Sequence, residues 1–290
     1  MGARDPLTPV PGREAAVARE YEFLDTDFAR VREMIYRCAG IHLSGNKQHM
    51  VYSRLARRLR QTGMRSFREY LDRIESDAAF QSAEAQEFVN ALTTNLTSFF
   101  REAHHFAALG RFLSNLGSAP RIWCAASSTG EEAYCIAMTM VEAARGRPPG
   151  NVLASDIDTH VLATAARGAY RLESAKACGE ERLRRFFLRG RGDNAGMVRV
   201  RPELAALVRF EQVNLLDEQW PRVRDFGASL DAVFCRNVMI YFDRKTQRRI
   251  FARLAEVLRP GGLLFVGHSE NFNDCNEALV LRGQTIYERK

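Results

Sequence analysis

Short apolar runs alternate with segments of helical periodicity along the chain after Pro120. The apolar runs cover residues 122–125, 152–155, 208–213, 230–235 and 263–266, and the helical patterns cover 131–144, 161–166 and 245–258. Alternation of this kind predicts βαβ units. We therefore expect an α/β fold with a mostly parallel sheet.

One glycine-punctuated segment, from Gly190 to Leu204, interrupts the alternation. Within it, Met197-Val198-Arg199-Val200 alternates in the manner of a strand. The sequence thus predicts an edge hairpin in an insert of about residues 188–205.

The first part of the chain has helical patterns only, from Asp25 to about Leu116. Asp25 or Thr26 is expected to cap a helix that ends at Gly40, and Ser66 with Glu69 forms a capping-box pattern. A further helix is expected over residues 82–92. We therefore predict an all-α domain over 21–95, a linker helix over 96–118 and the α/β domain over 119–290, with a disordered leader over 1–20.

Composition narrows the class of protein. An apolar fraction of 46% and a charged fraction of 27% are ordinary for a globular protein. No apolar run approaches the roughly 20 residues that span a bilayer, and the first residues do not resemble a secretory signal. Six cysteines without a CxxC pair favour reduced thiols. We expect a cytoplasmic protein without membrane insertion.

A metal site is not expected. The one histidine pair, His104-His105, is adjacent in sequence, so the two rings should point to different sides of a helix.

The turn after the first strand, Ala125 to Glu132, is where an α/β fold most often binds its ligand. It matches neither the GxGxxG nor the P-loop pattern, although Gly130 allows a close backbone approach. Glu132 at the helix start either binds a ligand ammonium or only complements the helix dipole. The turn alone does not decide between these roles.

Polar residues also follow the later strands. Asp156 is placed to bind ribose hydroxyls, whereas a helix N-cap role suits Asp158 better. Asn214 and Leu215 follow the third strand and are placed to frame an adenine; Arg236 and Asn237 follow the fourth. Carboxylates for an amine, an acid for ribose and amides for a purine together indicate S-adenosylmethionine.

Four segments resemble the CheR-type chemotaxis receptor methyltransferases. They are Thr94-Asn95-Leu96-Thr97-Ser98-Phe99-Phe100-Arg101, Ser127-Ser128-Thr129-Gly130-Glu131-Glu132, Ser155-Asp156-Ile157-Asp158 and Phe234-Cys235-Arg236-Asn237-Val238-Met239-Ile240-Tyr241-Phe242. The resemblance extends from about Phe23 to the C-terminus. It implies a class I S-adenosylmethionine-dependent methyltransferase domain, Rossmann-like, with a small inserted β-subdomain, preceded by an all-α domain.

The resemblance also implies the activity. Members transfer a methyl group from S-adenosyl-L-methionine to glutamate side chains on the cytoplasmic signalling helices of chemoreceptors, for chemotactic adaptation. The products are glutamate methyl esters and S-adenosyl-L-homocysteine. By resemblance, Arg101 and Tyr241 lie nearest the transferred methyl. The expected cofactor contacts are Asn95, Thr97, Arg101, Glu132, Asp156, Asn214, Leu215, Arg236 and Asn237.

Part of the net charge of +7 lies on a surface that we expect to contact the receptor. On a helix over about 47–61, one arc carries Lys47, Arg54, Arg57 and Arg58. Such a stripe is usually a solvated face, but here we interpret it as the docking surface for an acidic receptor.

The insert resembles β-subdomains that bind a receptor C-terminal tail by strand addition, with a merely structural hairpin as the alternative. We expect a monomer.

Two other functions remain as alternatives. A nucleic-acid methyltransferase fits the basic charge, but Asn237-Val238-Met239-Ile240 lacks the prolines of amine-methylating motifs and the basic helix lacks aromatic platforms for bases. A receptor-docking protein that binds the cofactor without turnover is the second alternative, and intact Arg101 and Tyr241 argue against it.

Overall fold

The computed structural model describes residues 20–77, 80–227, 229–272 and 277–290. The predicted leader therefore lies outside the described residues, apart from Glu20. No described helix is both long and apolar enough to cross a bilayer.

Helices and strands follow one another in the predicted order. The helices are α1 (Asp25–Ala39), α2 (Gln48–Thr62), α3 (Phe67–Ser76), α4 (Ala83–Leu92), α5 (His104–Ser114), α6 (Glu131–Ala144), α7 (Thr159–Arg167), α8 (Leu172–Ala175), α9 (Glu180–Phe186), α10 (Pro202–Ala205), α11 (Pro221–Phe226) and α12 (Arg244–Val257). The strands are β1 (Arg121–Cys124), β2 (Asn151–Asp156), β3 (Ala169–Arg171), β4 (Phe187–Arg189), β5 (Met197–Val200), β6 (Val208–Gln212), β7 (Leu230–Cys235), β8 (Leu258–Val266), β9 (Leu279–Gly283) and β10 (Ile286–Arg289).

Helices α1 to α4 form the all-α domain around one apolar core, in which Val31, Leu55 and Phe88 are buried. The N-cap of α1 is Leu24 rather than Asp25 or Thr26, and the Asp27 carboxylate accepts from its N–H. The helix ends at Gly40 as predicted, where a φ of 68° suits glycine. Ser66 accepts from the Glu69 N–H and so caps α3. The Glu69 carboxylate, however, accepts from the Arg65 N–H rather than completing a capping box on Ser66.

The large sheet has the strand order β6-β2-β1-β7-β8-β10-β9. The first five strands are parallel, and β10 pairs antiparallel with both β8 and β9. The chain leaves β1 toward β2 on one side, and β7 lies on the other. The β1–β7 boundary is therefore the switch point, where ligands bind outside the carboxyl ends of the strands. The fold class predicted from the sequence is confirmed.

The predicted linker helix is shorter and has a different role. α5 covers only residues 104–114, and residues 96–103 form turns and loop. Phe106, Leu109 and Leu113 of α5 pack in the same core as Ile122 and Phe234 of the sheet. Because its apolar face needs the sheet for burial, α5 is one of the layers of the α/β domain rather than a linker.

The small β-subdomain begins earlier than predicted. A separate antiparallel sheet has the order β3-β5-β4, so its first strand starts at Ala169, not near residue 188. The three-residue strands β3 and β4 are too short for a periodicity signal, and helical segments separate them. The predicted strand at residues 197–200 is present as β5. The C-terminal pair β9 and β10 was also missed.

Candidate active site at the carboxyl edge of the sheet

A cavity of about 370 Å³ lies between the all-α domain and the carboxyl edge of the sheet. The loops after β1, β2, β6 and β7 form its base, and the loop from α4 to α5 crosses it. Every residue predicted to contact the cofactor lines it, and so does Tyr241: Asn95, Thr97, Arg101, Glu132, Asp156, Asn214, Leu215, Arg236, Asn237 and Tyr241. Its volume is in the range of small-molecule sites.

A buried ion cluster forms the floor of this cavity. The Arg236 guanidinium, whose side chain is 0% exposed, lies 2.6 Å from Glu132 Oε2 and 3.2 Å from Glu102 Oε2. It also donates to the Arg101 carbonyl oxygen at 2.6 Å. Burial raises the pKa of Glu132, against the opposing effect of the Arg236 charge. The cluster contains two carboxylates and one guanidinium, an excess of acidic groups that favours a cationic ligand over an anionic one.

Glu102 was not predicted as a site residue. Burial alone would raise its pKa, but the Arg236 charge and the hydrogen bond from Asn237 Nδ2 lower it to about 2. Its position next to Arg101 in the motif was the only available signal. That signal did not reveal that its carboxylate reaches Arg236, 134 positions away in the chain.

Asp156 at the end of β2 lies beside this cluster. Its carboxylate accepts from the Ser128 N–H at 2.9 Å and the Asp158 N–H at 3.0 Å. Burial nevertheless raises the pKa of Asp156 to about 6. Asp158 is the N-cap of α7, accepting from the His160 and Val161 N–H groups, which confirms the role assigned to it from the sequence.

Two predicted contact residues already have protein partners for their side chains. Asn95 Nδ2 donates to Asp158 Oδ2 at 2.7 Å. Asn214 Nδ2 donates to the Cys38 carbonyl at 2.8 Å, and Asn214 Oδ1 accepts from the Leu216 N–H at 3.0 Å. Both amides therefore fix loops that line the cavity, and the Asn214 amide ties the β6 loop to the end of α1.

Gly130 makes a close approach, but to a helix rather than to a ligand. A Cβ atom there would lie 2.7 Å from the Ala165 Cβ, and the residue has a φ of 96°. It allows α6 to start against α7 and is not part of the cavity wall.

Arg101 and Tyr241 both line the cavity and are half-buried, in contrast to the buried Arg236, and we call the part of the lining that they form the mouth. The Arg101 guanidinium donates one hydrogen bond, to the Leu96 carbonyl at 3.2 Å, and has no ion pair among the described residues. The Tyr241 carbonyl accepts from the His42 N–H at 2.8 Å, so the all-α domain positions the loop that carries it. Two of the four predicted docking cations, Lys47 and Arg54, also line this cavity.

The predicted docking stripe is less uniform than its spacing indicated. Lys47 belongs to a 3₁₀ turn, Gly45–Lys47, and α2 begins after it. Arg54 donates to the carbonyl oxygens of Ala91 and Thr93. Arg58 lies 2.7 Å from Glu84 and 3.1 Å from Glu87, so its charge is compensated within the domain. Arg57 is exposed and has no ion pair in the described part of the chain.

Four of the eight described non-glycine residues with positive φ lie in loops around this cavity. Phe100, Glu102, Ser128 and Asn237 have positive φ values of 53°, 55°, 47° and 57°. Non-glycine residues adopt this region only at a cost, and such residues cluster at functional sites. A buried carboxylate that the sequence did not reveal, Glu270, accepts from the Asn237 and Met239 N–H groups and holds one of these loops.

The reason given for excluding a histidine metal pair is wrong. The His104 and His105 ring centroids are 4.2 Å apart, and possible ligand atoms of Glu102, His104 and His105 lie within 4.8 Å of one another. Arg236 lies beside the same Glu102 carboxylate and opposes a second cation. The absence of a metal stays a prediction.

Two family models match nearly the whole described chain. The model described as "CheR methyltransferase, SAM binding domain" matches residues 95–287, and "CheR methyltransferase, all-alpha domain" matches residues 26–93. The chain belongs to the CheR methyltransferase family. It is therefore a chemotaxis methyltransferase with an S-adenosylmethionine-binding domain, and the resemblance noted in the sequence is confirmed.

Curated relatives agree with the CheR assignment. A chemotaxis protein methyltransferase from Klebsiella aerogenes is 49% identical over 274 residues, covering 94% of this chain and 92% of that protein. One from Salmonella typhimurium is 50% identical over 265 residues, covering 91% and 90%. Chemotaxis protein methyltransferase 2 of Pseudomonas aeruginosa is 49% identical, covering 93% and 95%.

Proposed function

We propose that this CheR-family protein transfers the methyl group of S-adenosyl-L-methionine to glutamate side chains on the cytoplasmic signalling helices of chemoreceptors. The supporting observation is the arrangement of one cavity. It has a buried floor with excess negative charge and a half-buried Arg101 and Tyr241 where a substrate enters. A cationic cofactor suits the floor, and an anionic acceptor suits Arg101.

The donor set at the floor fits S-adenosylmethionine. Glu132 would bind the ammonium and Asp156 the ribose hydroxyls, while Arg236, already paired with Glu102 and Glu132, would hold the Glu132 carboxylate in position. When bound, the cofactor supplies a methyl group on a positively charged sulfur, which is a good leaving group.

The residues at the mouth orient the acceptor. A glutamate carboxylate has an ordinary pKa of about 4.3, so it is ionised at neutral pH and needs no general base. Arg101 has guanidinium N–H groups free for a two-pronged hydrogen bond with that carboxylate, and Tyr241 adds a hydrogen bond that fixes its direction. Positioning of this kind lowers the activation free energy by roughly 7–11 kcal/mol.

The β-subdomain and the α2 cations belong to this proposal as receptor-binding elements. The strand order β3-β5-β4 leaves β3 and β4 with open edges for strand addition by a receptor tail peptide. Arg57 is the α2 cation most available to an acidic receptor. We propose that the protein acts in the cytoplasm as a monomer.

The test is transfer of radiolabelled methyl from S-adenosylmethionine to isolated chemoreceptor cytoplasmic fragments. Base-labile label on glutamate is expected for the wild-type protein. With Arg101→Ala we expect a loss of roughly 100-fold or more in kcat, because one charged positioning contact is removed. Absence of label from every receptor, with cofactor binding intact by calorimetry, would reject catalysis in favour of receptor docking without turnover.

A further inference from the structure

The first two turns of α12 carry a cluster of cations that the fold does not use. Arg244, Lys245, Arg248 and Arg249 are all exposed, and none of them has an ion pair within the described ranges of the chain. At 100° per residue they occupy an arc of about 140°. On the other side of the helix Gln247 donates to the carbonyls of Met239 and Phe242, and Ile250 is buried.

These cations destabilise the helix that carries them. The N-cap of α12 is Asp243, but the first turn after it carries two adjacent cations, Arg244 and Lys245, and no acidic residue. Cations at a helix N-terminus oppose the helix dipole. Arg244 with Arg248, and Lys245 with Arg249, are like charges at i,i+4, a second unfavourable arrangement. Their presence therefore has no explanation in the stability of α12.

The cluster lies next to the mouth of the cavity. Arg244 follows Tyr241 by three residues, a reach of at most about 11 Å. The Asp243 carboxylate accepts from the Tyr36 hydroxyl and so joins α12 to α1. That hydrogen bond raises the pKa of Tyr36, and the positive charge of Arg249 opposes the shift.

Two large apolar side chains are exposed in the same area. Tyr36 is 43% exposed and Ile240 is 54% exposed, one beside Asp243 and the other beside Tyr241. Aromatic side chains together with arginine are the composition enriched in protein interfaces. We name Tyr36, Ile240, Arg244, Lys245, Arg248 and Arg249 the α12 patch.

We propose that the α12 patch is a second receptor-docking surface, which contacts acidic side chains of the receptor helix beside the glutamate being methylated. The inference rests on the proposed function, in which the acceptor is itself a carboxylate on a protein surface. The patch and Arg57 of α2 then engage the substrate from two separate elements. Complementary charge steers such an encounter and fixes its register.

The test reverses the charge at the start of α12 with the double variant Arg244→Glu/Lys245→Glu. This variant places acids in the first turn and creates Glu–Arg pairs at i,i+4 with Arg248 and Arg249, so it should melt at the wild-type temperature or above. The KM for a receptor fragment should rise about tenfold, while kcat and the cofactor Kd stay within about twofold. The salt dependence of KM should weaken as well.

A matched control carries the same change in net charge at the opposite edge of the sheet. Arg111→Glu/Arg121→Glu alters the end of α5 and the start of β1, both exposed, and should leave the receptor KM unchanged. An α12 variant that melts normally and has an unchanged receptor KM would overturn the inference. If that variant instead loses binding to anionic vesicles or duplex DNA, the patch belongs to another kind of partner.

The two proposals fail in different ways. If wild-type protein methylates no receptor, the proposed function fails, and receptor-fragment binding is then compared between wild type and variant by fluorescence anisotropy. About tenfold weaker binding by the variant would uphold the docking surface, and equal binding would reject it.

Discussion

The floor and the mouth of the cavity use the same kinds of side chain in opposite ways. At the floor, Arg236 is fully buried and has two carboxylates and a carbonyl as partners within the protein. At the mouth, Arg101 is half-buried and has a single carbonyl partner. The protein has thus fixed the floor before any ligand arrives, while it leaves the mouth residues free for an incoming anion.

Substitutions at the floor and at the mouth should therefore affect different properties of the protein. A change at the floor leaves buried charges without partners, so it should reduce both folding stability and cofactor binding. A change at the mouth removes only a contact to the substrate, so it should reduce turnover or receptor affinity at nearly constant stability.

Arg236→Gln should have the largest effect. It leaves Glu102 and Glu132 buried together without a cation, and breaking a buried pair in this way costs about 3–5 kcal/mol. Urea unfolding followed by circular dichroism measures the loss, and calorimetry should find no cofactor binding. Arg101→Gln is the matched control and should change stability by less than about 1 kcal/mol. Equal losses in the two variants would contradict the distinction between floor and mouth.

The sequence predicted the floor better than it predicted the supporting contacts. Strand periodicity placed Glu132, Asp156 and Arg236 at the carboxyl ends of neighbouring strands, and parallel strands bring such ends together. It did not reveal Glu102, which lies in the loop before α5, or Glu270, which follows β8 but accepts from the backbone N–H groups of the loop after β7. Their roles depend on loops with positive φ values, which spacing does not encode.

For the docking stripe the sequence found the residues but did not distinguish their roles. Helical periodicity correctly put Arg54, Arg57 and Arg58 on one side of α2, but it treated them as equivalent. The partners of Arg58 are carboxylates of α4, and the partners of Arg54 are backbone carbonyls at the C-terminal end of α4. Such tertiary neighbours decide which charges remain free, and one helix's own periodicity carries no information about them.

A second prediction concerns the pH dependence of the floor. Burial raises the pKa of Asp156 from 3.8 to about 6. A raised carboxylate pKa stabilises the fold below the unfolded pKa, and that contribution, about 3 kcal/mol at most, is lost as pH rises through 6. Cofactor binding has the opposite dependence if the ionised carboxylate accepts from the ribose hydroxyls.

Calorimetry between pH 8 and pH 5 tests this assignment. The cofactor affinity of the wild-type protein should fall by about tenfold per pH unit below pH 6. Asp156→Asn should bind more weakly at pH 8, and its affinity should lack this pH dependence. A wild-type affinity that stays constant down to pH 5 would remove Asp156 from the ribose-binding role.

The smallest expected effect compares two neighbouring arginines of α2, Arg57 and Arg58. Arg57→Gln removes an exposed cation without an ion pair, so stability should be unchanged and the receptor KM should rise about two- to fivefold. Arg58→Gln leaves Glu84 and Glu87 without their cation, and Glu84 also accepts from the buried Tyr70 hydroxyl. Its main effect should therefore be a lower melting temperature.

Steady-state methylation kinetics and thermal unfolding of both variants measure the contrast. If Arg58→Gln raises KM at an unchanged melting temperature, the charge of Arg58 serves the receptor despite its partners, and docking extends along the whole stripe.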